Sequence, residues 1–238
     1  MREIFVVRIR QWYLLFTTGF FLAIAILSGL LQPIFNNAQQ LDKPMPIFHG
    51  NMAEPKVTFA CNVFWGEEFL PEMLNVLDEN NIKITFFIGG SWAKRFPALV
   101  TELANRGHEL GNHSYNHPHP NLLGKDKNKE QILRTEQLVN ELTTIKTTLY
   151  APPYGEYNDT VLLAAKELSY TTIMWSIDTI DWQRPPTEII INRVMKKLHN
   201  GAIILIHPTQ NTAKALPQLI KEIQEKGYKI STVSDIIK

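Results

Sequence analysis

Cysteine is nearly absent from this chain of 238 residues. Cys61 alone cannot close an internal disulfide, which excludes a disulfide-stapled scaffold and a cysteine-rich zinc module. An excess of either charge is also lacking: 24 Lys and Arg stand against 23 Asp and Glu, a formal net charge of +1. No basic surface of the kind that marks nucleic acid as the main partner follows from that balance. Charged residues make up 20% and hydrophobic residues 45%, which excludes wholesale disorder, a collagen-like repeat and a multi-span membrane protein. No short tandem repeat runs through the residues.

Long uncharged apolar runs are confined to one place. From Trp12 to Leu31 there is no charged residue, and a run of that length, about 20 residues, can cross a bilayer as a helix. Arg2, Arg8 and Arg10 precede it, and the nearest following base is Lys43. The positive-inside bias then puts residues 1–11 in the cytoplasm and everything after Leu31 outside. The expectation is a single-pass anchor in the cell membrane with an extracytoplasmic C-terminal domain. A secretory signal peptide competes, with Asn37-Ala38 near a cleavage site, but the run exceeds the usual signal core. A buried core helix does not suit a stretch that is apolar all round. Residues 32–54, with Pro33, Pro44 and Pro46 among Asn- and Gln-rich polar residues, read as a linker, and residues 55–238 as the folded domain.

Within that domain short β-rich runs alternate with longer amphipathic ones. Lys56–Val63 reads as a strand and Phe69–Glu79 as a helix. Further strand-like runs lie at Ile84–Ile88, His108–Gly111, Thr148–Ala151, Thr171–Ser176, Ala202–His207 and Lys229–Thr232. Helical patterns at Lys129–Thr144, Asp159–Leu168, Ile189–His199 and Ala213–Lys226 separate them. Strands joined by crossovers of this length pair in parallel, so the pattern predicts an α/β fold, closed as a small barrel or open as a doubly wound sheet.

A barrel carries its chemistry at the C-terminal ends of its strands, and polar clusters stand at those ends here. Asn112 to His117 follow the third run, Pro152 to Gly155 the fourth, Asp178 to Trp182 the fifth, and His207-Pro208 the sixth. His113 and His117 are four residues apart. A helical turn would put both rings on one face, where two imidazole nitrogens can reach one metal ion. His119, between Pro118 and Pro120, belongs to a turn rather than to that face.

These residues together carry a resemblance. Gly107 to His117 resembles the second motif of the polysaccharide deacetylase (NodB-homology) family, Pro152-Pro153-Tyr154-Gly155 the third, Asp178 with Asp181-Trp182 the fourth, and Leu205-Ile206-His207 the fifth. The match covers nearly all of residues 55–238. It implies a distorted (β/α)7 barrel and a metal-dependent hydrolase, with a divalent metal such as zinc as cofactor, that removes acetyl groups from an extracellular or cell-wall polysaccharide such as peptidoglycan or a chitin-like polymer. The implied partners are an acetylated glycan of the envelope and, through the apolar run, the membrane.

The resemblance implies His113 and His117 as metal ligands and His207 as the acid that protonates the departing amine, with Asp178 or Asp181 orienting it. Tyr154, Trp182 and Pro153 would bind substrate. The first motif departs from the family: its base aspartate falls on Asn62 and its metal-binding aspartate on Val63, and the arginine of the third motif falls on Ala151. These losses are coupled, because an arginine without its carboxylate would be an unpaired, partly buried charge. Asn62 can position water or lend an amide oxygen to a metal but has no basic form at neutral pH. Loss of a positioned base costs on the order of 10²–10⁴ in rate. Glu67 and Glu68 are the nearest acids in sequence that could stand in for the missing aspartates, but a helix N-terminus, whose dipole favours acids, is the better reading of them. Cys61, alternating with Asn62, faces the other side and reads as a small core residue. A glycan-binding pseudoenzyme on the same fold is the alternative function.

Overall fold

A computed structural model describes residues 44–238, together with Phe20, Ile24, Ile26, Leu27 and Ser28, which are helical. The remainder of Trp12–Leu31, read as an anchor, lies outside the described residues. Among the described residues no helix is long and apolar enough to cross a membrane. Met1–Lys43 and Pro44–Lys238 form two separate compact units, and the second carries the sheet.

Within residues 44–238 there are eight strands, β1 Lys56–Val63, β2 Thr85–Ile88, β3 Glu109–Asn112, β4 Leu149–Tyr150, β5 Thr171–Thr172, β6 Ile177–Asp178, β7 Ile203–Ile206 and β8 Lys229–Ile230, separated by helices except that β6 follows β5 directly. The helices are α1 Leu70–Glu79, α2 Gly90–Arg95, α3 Pro97–Asn105, α4 Lys125–Thr143, α5 Asp159–Glu167, α6 Thr187–Lys197, α7 Gln210–Glu225 and α8 Val233–Ile236. The sheet runs in the order β5-β4-β3-β2-β1-β7-β6, with β8 added beside β1, and every ladder is parallel. It curls into a half-barrel of the kind expected for a distorted (β/α)7 barrel, and among the described residues no ladder joins β5 to β6. The run Thr171–Ser176 is not one strand: β5 ends at Thr172, Ile173 makes only an isolated bridge, and β6 begins at Ile177.

Residues 44–54, read as the end of a linker, belong to the folded unit. Ile47 bridges Ile173 and His49 bridges Ala202, so this segment reaches from the β5 edge to the start of β7. Isolated bridges need no apolar alternation, which is why the stretch reads as a tether. The folded unit therefore begins at Pro44 rather than near Pro55.

Strand β1 is buried on both faces, as a central parallel strand must be. Its alternation sorts the side chains. Val57, Phe59, Cys61 and Val63 pack outward against α1, α2 and α7. Ala60 packs inward with Phe87, Leu149, Ala151, Ile173 and Ile203, over a floor of Val233 and Ile236 from α8. Asn62 is the next inward residue above Ala60, which lifts it to the C-terminal mouth. Cys61 is buried as expected, and burial, with Asp181 nearby, pushes its thiol up.

Beneath the mouth, His108 is 3% exposed, accepts a hydrogen bond from the Ile84 N–H at 3.3 Å through Nδ1, and leaves Nε2 buried without a partner. Burial, reinforced by Lys83, lowers its pKa to about 4. The folded state therefore keeps His108 neutral while an unfolded chain, at about 6.5, takes up a proton. As pH falls from 6.5 toward 4 the unfolded state binds more protons and stability drops, on the order of 3 kcal/mol across the window. His108→Gln keeps an acceptor for Ile84 and is expected to flatten that acid limb when urea unfolding is compared at pH 7 and pH 4.5. An unchanged limb would assign the acid sensitivity to other groups.

Candidate active-site cavity

At the C-terminal ends of the strands lies a cavity of about 560 Å³, lined among others by Asn62, His113, His117, Tyr154, Asp178, Trp182 and His207. The sequence brought all of these forward. Two expected site residues do not line it: Pro153, buried at the start of the turn Pro153–Gly155, and Asp181, which is fully buried. Glu67 and Glu68 do not line it either. They sit in the short 3-10 turn Glu67–Phe69, where Glu67 accepts a hydrogen bond from the indole N–H of Trp92 at 3.2 Å.

His113 and His117 meet, but not on a helix. His113 follows β3 directly, and the chain then turns through left-handed conformations at Ser114 (φ 62°) and His117 (φ 52°). Asn112 holds this turn, its Oδ1 accepting from the Ser114 N–H at 3.0 Å and its Nδ2 donating to the Ile132 carbonyl at 2.8 Å. The Gly90 N–H donates to the Ser114 carbonyl at 2.9 Å and the Ser91 N–H to that of Tyr115 at 2.8 Å, tying the turn to α2. The two rings come edge to face with centroids 4.9 Å apart.

His113 is 2% exposed and its Nδ1 lies 2.7 Å from the Ala151 carbonyl. A carbonyl only accepts, so Nδ1 carries the proton and Nε2 keeps its lone pair. Burial, then the neighbouring His117, holds this imidazole well below its ordinary pKa, and burial lowers that of His117 to about 4. Both rings are therefore neutral at pH 7, the form that binds metal. The amide Oδ1 of Asn62 is buried without a hydrogen-bond partner on the same cavity. That orphaned oxygen and two neutral imidazoles fit a divalent cation as an uncharged N,N,O set. Among the described residues no group of three or more His, Cys, Asp or Glu gathers to hold a metal, so no carboxylate joins them. Val63, where the metal aspartate was expected by resemblance, is wholly buried in the core against the helices and faces away from the cavity.

Of the two candidate carboxylates, Asp181 orients His207. It is fully buried and accepts from the His207 backbone N–H at 2.6 Å, from His207 Nδ1 at 2.7 Å and from the Thr212 hydroxyl at 2.6 Å. Thr212 is in the first turn of α7, which Thr209 caps. Asp178 instead accepts the Ile180 N–H at 2.8 Å and faces the cavity.

Four residues of the cavity escaped the sequence reading: Phe64, Trp65, Trp175 and Arg184. Trp65 stacks on the His207 ring, centroids 5.7 Å apart and 7° from parallel, so that with Nδ1 fixed by Asp181 the imidazole is held on one edge and one face. A left-handed Gly66 (φ 82°) makes the approach possible, since a Cβ there would collide with the Pro208 carbonyl. An aromatic residue just past the end of β1 was the available signal. Arg184 also lines the cavity, with no spacing that points to it. His119 does not line the cavity. It stacks on Tyr154 at 4.1 Å and bonds Glu156 at 2.9 Å, and Tyr154, 57% exposed, packs in turn on His117 at 4.5 Å.

Comparison with known proteins fits this geometry. The polysaccharide deacetylase family model matches residues 50–173. The Bacillus subtilis protein YlxY is 42% identical over 195 residues, which cover 82% of this chain and 61% of the relative, so the chain spans about three fifths of that protein's length. A peptidoglycan-N-acetylglucosamine deacetylase of Bacillus cereus is 35% identical over 77% of this chain and 68% of its own. Among solved structures, a CE4 family pseudoenzyme from Bacillus anthracis superposes with a TM-score of 0.80 at 37% identity, covering 82% of this chain and 69% of that one. A mutant of the same B. anthracis protein, described as having restored enzymatic activity, superposes equally well at 36% identity, over 82% of this chain and 72% of that one. By family model, relatives and fold, this chain belongs to the polysaccharide deacetylase family.

Proposed function

We propose that the chain binds an acetylated glycan of the peptidoglycan type in this cavity, and that it removes acetyl groups at a rate lowered by the missing base. The observation that carries the reading is the pairing of an intact acid assembly, His207 with Asp181 and Thr212, with an amide, Asn62, in place of a carboxylate. His113, His117 and Asn62 would hold a divalent metal, zinc being the natural choice for imidazole donors. When bound, it would polarise the acetyl carbonyl and make water more acidic. Asn62 holds water by hydrogen bond without taking its proton, and His207 Nε2 protonates the leaving amine while Asp181 stabilises the imidazolium. Trp182 and Tyr154, 52% and 57% exposed, offer faces to sugar rings.

The relatives named as peptidoglycan deacetylases support the substrate class, and the B. anthracis pseudoenzyme supports the loss of rate. The apolar run Trp12–Leu31 would hold the domain at the outer face of the cell membrane, beside the wall. The test is acetate release from acetylated wall glycan and chitin oligomers by the full-length, zinc-loaded chain, with and without a chelator. Slow release that stops with chelator and in His113→Ala is expected. No release with glycan still bound would leave the fold as a binding module, and neither release nor binding would end the reading.

A further inference from the structure

The loop after β6 is built at a cost. Two residues other than glycine, Ile180 (φ 52°) and Arg184 (φ 55°), take left-handed conformations on either side of the turn Asp181–Gln183. For a β-branched isoleucine that conformation is a genuine outlier, of a kind that persists only where the surroundings over-determine it. They do here. Asp181 is anchored by His207 and Thr212, the Arg184 N–H donates to the Asp181 carbonyl at 2.8 Å, and Asn211 Nδ2 donates to the carbonyls of Arg184 and Pro185 at 3.2 and 2.8 Å. From the other side, Arg193 donates to the Thr179 carbonyl at 2.7 Å.

The loop contributes both Trp182 and Arg184 to the cavity lining. Among the described residues the Arg184 guanidinium has neither an ion pair nor a side-chain hydrogen bond, although Asp178 lines the same cavity. The Arg184 side chain is exposed, at the rim of a groove lined also by aromatic rings, by the imidazoles of His113, His117 and His207 and by Asp178. A planar guanidinium in that place matches a carboxylate through two parallel N–H···O bonds. We infer that Arg184 selects a carboxylated glycan, its guanidinium taking an acidic substituent of one sugar while a neighbouring ring stacks on Trp182. Asp178, one oxygen already committed to the Ile180 N–H, takes sugar hydroxyls and disfavours a second acid at its own end of the cavity. The inference rests on the glycan-binding reading above and narrows it to strands that alternate N-acetyl sugars with carboxyl-bearing ones.

The experiment measures binding of three oligosaccharides of equal length to the full-length chain by calorimetry at low salt. They are a peptide-free peptidoglycan strand with free lactyl carboxylates, the same strand methyl-esterified, and a neutral chitin oligomer. The free acid is expected to bind about fivefold tighter than its ester, an advantage for a partly exposed charge-assisted pair that fades as salt screens it. Arg184→Gln should remove the difference between acid and ester, and Arg184→Lys should restore part of it. Equal binding of acid and ester, or a difference that survives Arg184→Gln, overturns the inference while leaving glycan binding in place. Failure of all three oligosaccharides to bind overturns both.

Discussion

Replacing Asn62 by aspartate is expected to raise metal-dependent acetate release from N-acetylglucosamine oligomers by about 10²–10⁴, the span that a positioned general base contributes. The geometry makes this a change of one atom in the right place. Asn62 is inward-facing on β1, lines the cavity with His113 and His117, and its Oδ1 has no hydrogen-bond partner to lose. A carboxylate there also supplies the anion that the neutral donor set lacks, so zinc should bind more tightly in Asn62→Asp than in the parent. Without metal, the new carboxylate is buried beside no arginine, because Ala151 occupies that position, and the apo variant should be less stable than the parent until metal is added. Val63→Asp is the control for geometry. It places the same charge one residue further along, into a core contact of zero exposure, and should cost about 3–5 kcal/mol without any gain in acetate release. A folded, zinc-loaded Asn62→Asp that releases acetate no faster than the parent would show that the base is not what the site lacks.

That contrast between neighbours was legible in the sequence only in part. Alternation along Lys56–Val63 says that Asn62 and Val63 face opposite ways, but not which of them faces the barrel interior. The packing of Ala60 against Ala151 and Ile203 decides it. Strands and long helices were legible because parallel strands buried on both faces leave unbroken apolar runs, and long helices leave a 3.6-residue stripe. Between Ile88 and His108 the pattern fails, since α2 is only six residues long and Pro97 starts a new helix directly after Phe96. The spacing of His113 and His117 pointed to shared ligation for a reason that does not hold: their rings meet through left-handed turns at Ser114 and His117, pinned by Asn112 and the start of α2, and not on a helical face. Arg184 was invisible because a left-handed isoleucine and a left-handed arginine are imposed by tertiary contacts and have no local signature.

Asp178 and Asp181 could not be told apart in sequence either, and a large stability effect follows from the answer. Asp181→Ala should destabilise the domain by about 3 kcal/mol, because it strands three buried or part-buried donors at once: the His207 N–H, His207 Nδ1–H and the Thr212 hydroxyl. For a unit of this size that is a fall in Tm of roughly 6–12 °C. Asp178→Ala, losing one bond to the Ile180 N–H at a half-buried site, should move Tm far less. Asp181→Asn separates stability from chemistry. The oxygen that receives both the His207 N–H and the Thr212 hydroxyl must remain an acceptor, since a backbone N–H cannot reverse, so the asparagine NH₂ is forced toward His207 Nδ1. The imidazole must then move its proton to Nε2 and loses the carboxylate that stabilises its charged form. Asp181→Asn is accordingly expected to lie within about 1 kcal/mol of the parent in urea unfolding, while nitrogen NMR of His207 reports the Nε2–H tautomer. Built into Asn62→Asp, it should remove most of the acetate release that the first change restores. An unchanged tautomer in Asp181→Asn would mean that His207 takes its orientation from the Trp65 stack instead, and Trp65→Ala would then be the variant that releases it.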